Sequence, residues 1–231
     1  MNLTYHIPTK IVFGPGSLEE LNTLALPGNR ALIVITAGGS MRRLGYLDRI
    51  TSMLANRGIE SVVYDQVLPN PVIGNVAEGA QLAKQESCDF ILGLGGGSSI
   101  DTAKSIALMV TNPGEYWDYI VGGTGKGKQV EHGALPIVAV TTTAGTGTEA
   151  DPYTVITNNE TKEKIGFASI PYTFPTLSIV DPELMTSVPP KLTAFQGFDA
   201  FFHAAEGYIS KAANPISDSL ALKSIELLAR F

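Results

Sequence analysis

The residues Gly95-Gly96-Gly97-Ser98-Ser99-Ile100-Asp101 directly follow the apolar run FILGL and lead into the helical pattern DTAKSIALMV. Glycines at such a junction let backbone N–H groups approach an anion closely. The start of the helix adds unpaired donors and a partial positive charge, so the combination favours a phosphate or pyrophosphate. Ser98 and Asp101 also read as the S-x-x-D of a capping box, an arrangement that needs no ligand. A second row, Thr141-Thr142-Thr143-Ala144-Gly145-Thr146-Gly147-Thr148-Glu149, follows the run PIVAV and offers hydroxyls and small residues. Such a row can line the remainder of a nucleotide site or form a solvated Thr/Gly connection.

Two further groupings carry chemistry. Asp199 and His203 are four residues apart in a helical pattern, so their side chains project from one face and can share one ion. A carboxylate with an imidazole suits Fe2+ or Zn2+, although on spacing alone such a pair is more often a surface ion pair. The stretch Thr36-Ala37-Gly38-Gly39-Ser40-Met41-Arg42-Arg43 ends a second apolar run. A fold selecting NAD usually places an acidic residue there for the ribose hydroxyls. This stretch has none, and its two glycines, one hydroxyl and two arginines accommodate a 2′-phosphate, pointing to NADP. The same arginines also read as solvated residues at a helix start.

The elements that must position these residues alternate along the chain. Short β-branched runs at 10–14, 31–35, 61–65, 90–95 and 136–142 are separated by amphipathic or glycine-started segments, the pattern of a parallel α/β sheet. Leu47, Ile50, Met53 and Leu54 fall at helical spacing before a stop at Gly58, and NVAEGAQLAKQES reads as the next helix. TVITN and LSIVDP read as short strands joined by the polar stretch NETKEK, a hairpin or loop near the sheet edge. From Pro189 the pattern turns helical, with Leu222, Ile225 and Ala229 on one face of the last helix, which is expected to run to Phe231. The glycine loop thus follows the fourth strand, whereas the ordinary dinucleotide fingerprint follows the first.

Composition narrows the class. Hydrophobic residues make up 44% and charged residues 16%, ordinary globular usage. The net charge of -6 comes without a long basic run, which argues against nucleic acid or an anionic membrane as the main partner. The N-terminus lacks a signal-peptide pattern and no apolar stretch approaches bilayer length, so a cytoplasmic protein is expected. Cys88 stands alone and reads as a semi-buried thiol before a strand. His6 and His132 read as exposed loop or strand-end residues.

The GGGSSID loop, the TTTAGTGTE loop and the later GFDAFFHAAEGY occur in the order and approximate spacing of the iron-containing (group III) alcohol dehydrogenases. The chain resembles that family over essentially its whole length, including FGPGSLEEL, LPNP and VDPELM. Its AGGSMRR stretch is most similar to the NADP-dependent butanol dehydrogenase branch. The resemblance implies a Rossmann-like parallel-sheet α/β domain over 1–185 that binds the dinucleotide. It also implies the first helices of an all-helical metal-binding domain over 186–231.

Gly38, Gly39 and Ser40 would then lie at the adenosine end, Asn70 beside the ribose, and Gly96, Gly97 and Ser98 on the pyrophosphate. Asp101, Thr142, Thr143 and Thr146 would lie toward the nicotinamide, with Lys164, otherwise an ordinary solvated charge, near the ribose. Asp199 and His203 would be metal ligands, and Asp101, Lys164 and His203 the candidate catalytic residues. The cofactors implied are NADP, with NAD the alternative, and Fe2+, with Zn2+ the alternative.

The family's two further histidine ligands lie beyond residue 231, so the helical region is expected to be incomplete, with apolar helix faces exposed. The activity implied is hydride transfer between NADP(H) and a small primary alcohol or aldehyde in a homo-oligomer, by general prior a dimer. The alternatives are a catalytically inactive NADP-binding fragment and, lower, a lyase like dehydroquinate synthase.

Overall fold

The computed structural model describes residues 3–230, so Phe231, placed by sequence at the end of the last helix, lies outside the described residues. Six apolar runs form one wholly parallel sheet: β1 (Lys10–Phe13), β2 (Arg30–Thr36), β3 (Glu60–Val67), β4 (Phe90–Gly95), β5 (Ile137–Thr141) and β8 (Leu177–Val180), in the order β1-β8-β5-β4-β2-β3. β4 and β5 are buried at every position, as continuous rather than alternating apolar runs require of strands covered on both faces.

That order has a direct consequence. The chain leaves β2 toward β3 on one side, then returns across β2 to β4 and moves on to β5. Helix α2 (Tyr46–Asn56) packs on one face with Ile33, Ile35, Leu92 and Leu94, and α3 (Ile73–Gln85) and α4 (Gly97–Thr111) on the other with Leu32, Val34 and Ile91. The connections from β2 and β4 therefore diverge, and the parallel strands open a crevice outside their carboxyl ends where α/β folds take ligands. The glycine, threonine and AGGSMRR stretches all leave from that edge.

Leu47, Ile50, Met53 and Leu54 are buried on α2 as their spacing predicts, and Gly58 takes the left-handed conformation (φ 71°) that ends the segment. Cys88 is buried just before β4, and burial pushes its thiol pKa up, consistent with an inert thiol. His6 and His132 are exposed. No helix among the described residues is long and apolar enough to cross a membrane.

Three expectations are corrected. NETKEK forms a hairpin but does not join TVITN to LSIVDP: its last two residues open β7 (Glu163–Phe167), which pairs antiparallel with β6 (Thr154–Asn158) apart from the main sheet. Glu, Lys and Gly hide the strand by propensity, while Ile165 and Phe167 alternate toward the core. LSIV is β8, inside the main sheet between β1 and β5 rather than at its edge. On α7 (Pro215–Leu228) the face toward α6 (Pro190–Ile209) carries buried Ala221 with half-buried Ile225 and Leu228, whereas Leu222 is 50% exposed and Ala229 exposed. Two helices covering one another bury only a narrow stripe. α6 has no buried residue, and Phe198 is 65% exposed.

The hairpin is fixed to the core by Tyr116, the first residue of α5 (Tyr116–Tyr119): its ring meets Phe167 edge-on and its hydroxyl bonds Thr154 Oγ1 at 2.6 Å. Burial is the main cause pushing the Tyr116 pKa from 10.0 up to about 12. The neutral form is thus favoured in the fold, and the corresponding stability is complete below pH 10 and lost as pH rises through 12. Two pKa units correspond to about 3 kcal/mol. Urea melts should show the loss between those pH values smaller by about this amount in Tyr116→Phe than in the unsubstituted chain. Equal losses would place the alkaline sensitivity elsewhere.

Candidate active site

Gly95 ends β4 at φ 141°, and a Cβ there would meet Ser99 Oγ at 2.6 Å. A Cβ at Gly96 would lie 2.9 Å from the Thr143 side chain, and one at Gly97 3.1 Å from that of Thr146. The glycine and threonine loops are therefore in direct contact, and Thr142 N–H donating to the Gly95 carbonyl at 3.0 Å stitches them together. Any larger residue would fill the space that leaves backbone N–H groups approachable at the start of α4.

The capping-box reading of Ser98 and Asp101 is corrected. Gly96 is the N-cap of α4 and no side chain caps the helix. Ser98 Oγ instead donates to the Pro69 carbonyl at 2.5 Å, tying down the segment Pro69-Asn70-Pro71. Lys164, on β7, donates from Nζ to Asn70 Oδ1 at 3.0 Å, so residues far apart in sequence meet over the glycine loop. A cleft of about 470 Å³ results, lined by Asn70, Gly97, Ser98, Asp101, Thr146 and Lys164, and also by Asp199 and His203 from α6. Of the remaining residues singled out by sequence, Gly96, Thr142 and Thr143 sit beside this cleft in the two loops. Gly38, Gly39 and Ser40 stand apart from its lining, where β2 passes into α1 (Ser40–Arg43).

Asp101 accepts from Thr148 Oγ1 at 2.6 Å and from the Val155 N–H at 2.9 Å, so both carboxylate oxygens are engaged. Burial pushes its pKa up, opposed by the Thr148 hydroxyl and the Lys104 charge. Sequence reasoning missed Lys104, which is fully buried one helical turn along α4. Its ammonium reaches Thr148 Oγ1 at 2.7 Å, the Asp151 carbonyl at 2.8 Å, the Tyr153 carbonyl at 2.9 Å and Asp151 Oδ1 at 3.2 Å. Burial lowers the Lys104 pKa, opposed by the carboxylates of Asp151 and Asp101. Thr148 accepts from the ammonium and donates to the carboxylate, so a polar chain runs beneath the cleft. A single lysine one turn after Asp101, amid small and apolar residues, is its only signal in sequence.

Asp199 and His203 bring Oδ1 and Nε2 to 3.6 Å, with both side chains partly exposed. α6 is seated on the threonine loop: Ala144 N–H donates to Gln196 Oε1 at 3.0 Å, and Gly145 lies against Gln196 and Asp199. No group of three or more His, Cys, Asp or Glu side chains able to hold an ion occurs among the described residues. These residues therefore supply two donors, one hard and one borderline, that fit Fe2+ or Zn2+ as part of a larger set.

At the end of β2, Gly39 adopts φ 71° as the N-cap of α1. Arg43 Nη1 donates to the Gly38 carbonyl and Arg42 Nη2 to Asp65 Oδ2, each at 2.7 Å. The sequence has no carboxylate on β2, but pairing with β3 brings Asp65 to this end. The Arg42 guanidinium holds the Asp65 carboxyl below its ordinary range.

A doubly wound parallel sheet whose glycine and threonine loops meet at the switch point, beneath a carboxylate and imidazole on one helix face, has the architecture of the nucleotide-binding α/β folds. Residues 8–182 match the family model of iron-containing alcohol dehydrogenases, and residues 193–231 match that family's C-terminal model. The chain belongs to the iron-containing alcohol dehydrogenase family. It is 39% identical to alcohol dehydrogenase 4 of Schizosaccharomyces pombe, over 98% of this chain and 52% of that protein. It is 36% identical to the NADPH-dependent butanol dehydrogenase of Clostridium saccharobutylicum, over 98% of this chain and 57% of that protein. The crystal structure of NADH-dependent butanol dehydrogenase A from Thermotoga maritima superposes with a TM-score of 0.89 at 36% identity, covering 99% of this chain and 56% of that one. The chain thus spans little more than half the length of these relatives.

Proposed function

We propose that this protein binds a nicotinamide dinucleotide across the carboxyl ends of β2, β4 and β5. With a divalent ion at Asp199 and His203, it would serve hydride transfer between that cofactor and a small primary alcohol or aldehyde. The observation that carries the reading is that the glycine loop and the Asp199/His203 pair line one cleft. In this reading residues 1–185 are the nucleotide-binding unit and 186–231 begin the metal-binding helices.

When bound, the nicotinamide supplies the hydride donor or acceptor, and the ion, Fe2+ or alternatively Zn2+, the Lewis acidity that polarises the substrate oxygen. Gly96, Gly97 and Ser98 hold the pyrophosphate through backbone donors. Thr142, Thr143 and Thr146 wall the nicotinamide side, and Lys164 with Asn70 positions a ribose. Asp101, with both oxygens already bonded, keeps the cleft floor in place and orients these groups rather than exchanging a proton. Gly38, Gly39 and Ser40 receive the adenosine ribose, and the two arginines beside them favour NADP, with NAD the alternative.

A second reading, nucleotide binding without turnover by these residues, is favoured by the two donors present among the described residues. The lyase reading finds no support in either family match. Calorimetric titration with NADP+ and NAD+ tests the nucleotide half: micromolar binding of one or both supports it, and binding of neither overturns it. Anaerobic consumption of NADPH or NADH with butanal and added Fe2+ or Zn2+ then separates the two readings. Metal-dependent turnover supports hydride transfer, and binding without turnover supports the second reading.

A further inference from the structure

Each arginine at the adenosine end already makes one hydrogen bond within the protein. Arg43 Nη1 is bonded to the Gly38 carbonyl, inside the glycine turn that opens α1. Arg42 Nη2 is bonded to Asp65 Oδ2 at 2.7 Å, and the other carboxylate oxygen, Oδ1, accepts from Gln66 Nε2 at 2.6 Å. Asp65 is thus oriented from both sides, with its charge directed at the guanidinium that a 2′-phosphate would need. The Arg42 and Asp65 side chains are 50% and 37% exposed, so the pair is within a ligand's reach.

On the reading that a dinucleotide lies here with its adenosine ribose at Gly38–Ser40, we infer that Asp65 sets the cofactor preference by occupying Arg42 and so holding back selection for NADP over NAD. A 2′-phosphate competes for Arg42 with a carboxylate that already holds its Nη2 by a short charge-assisted bond. A ribose hydroxyl makes no such demand, so binding of NAD is indifferent to the pair. The physical consequence is a protein tuned between the two cofactors, which one substitution on a neighbouring strand would move. Asp65→Asn keeps the shape and the Gln66 contact while removing the charge that competes for Arg42.

The test is calorimetric titration of the full chain with NADP+ and NAD+, which differ only in the 2′-phosphate, at low salt and without metal or substrate. Asp65→Asn is expected to tighten NADP+ about fivefold to tenfold and leave NAD+ unchanged, the gain shrinking at high salt because the pair is exposed. In an Arg42→Ala background the same substitution should change NADP+ binding less than about twofold, since the gain runs through the freed guanidinium. An unchanged NADP+/NAD+ ratio in Asp65→Asn, weaker NADP+ binding, or a full gain without Arg42 would each overturn the inference while leaving nucleotide binding intact. Binding of neither dinucleotide to the unsubstituted chain would overturn the nucleotide reading and this inference with it.

Discussion

Lys104→Met should destabilise the protein by about 3–5 kcal/mol, the usual result of removing one partner from a buried ionic network. For a chain of this size that lowers the melting temperature by roughly 10 °C. Methionine nearly matches the volume of the buried lysine, so packing contributes little to the loss. The cost arises from what the ammonium leaves behind. The carbonyls of Asp151 and Tyr153 and the Thr148 hydroxyl lose their donor, and Asp101 loses a buried counter-charge. Because Thr148 and Val155 hold Asp101 in the cleft wall, nucleotide affinity should fall along with stability. Chemical denaturation of both proteins measures the first effect and dinucleotide titration the second. A loss under about 1 kcal/mol would show that these acceptors are satisfied without Lys104.

Gly145→Ala should detach the start of α6 from the threonine loop. The backbone at Gly145 has φ 139°, a region that L-residues rarely adopt, and an added Cβ would lie 2.8 Å from the Gln196 carbonyl oxygen and 3.0 Å from Asp199 Oδ2. A backbone carbonyl cannot swing away as a side chain can. The strain of about 1–3 kcal/mol is therefore relieved either in the loop or by displacing α6. α6 buries none of its residues, so it is the element that yields. The measurable result is faster amide exchange in the first turns of α6, with loss of the Ala144–Gln196 bond. Asp199 then moves relative to the glycine loop, and Zn2+ affinity should fall at least tenfold, as it does when a ligand's support is lost. Asp199→Ala is the companion variant, since it should remove Zn2+ binding while leaving α6 exchange unchanged. Unchanged exchange and unchanged Zn2+ affinity in Gly145→Ala would show that the loop absorbs the substitution by itself.

The main sheet was legible because its strands are buried on both faces, so β2, β4 and β5 appear as unbroken apolar runs between helical patterns. α2 was equally clear, with Leu47, Ile50, Met53 and Leu54 at helical spacing. β7 was hidden, because Glu163, Lys164 and Gly166 lack strand propensity and only its pairing with β6 makes the segment extended. The place of β8 could not be read from LSIV, since nothing local distinguishes an interior parallel strand from an edge one. The face of α7 followed the same rule. Helical spacing allows several apolar stripes, and the partner helix chose the one through Ala221.

What the sequence by itself determined is the glycine loop before α4, the threonine loop after β5 and the Asp199/His203 pair, because each depends on residues adjacent along the chain or one helical turn apart. Only the tertiary structure decided that Lys164 meets Asn70, that Lys104 is buried beneath Thr148 and Asp101, and that Asp65 reaches Arg42. Each of those contacts joins residues from different elements, and nothing adjacent along the chain announces it. Burial and pairing change what a charge does, and both are properties of the neighbours that the fold supplies.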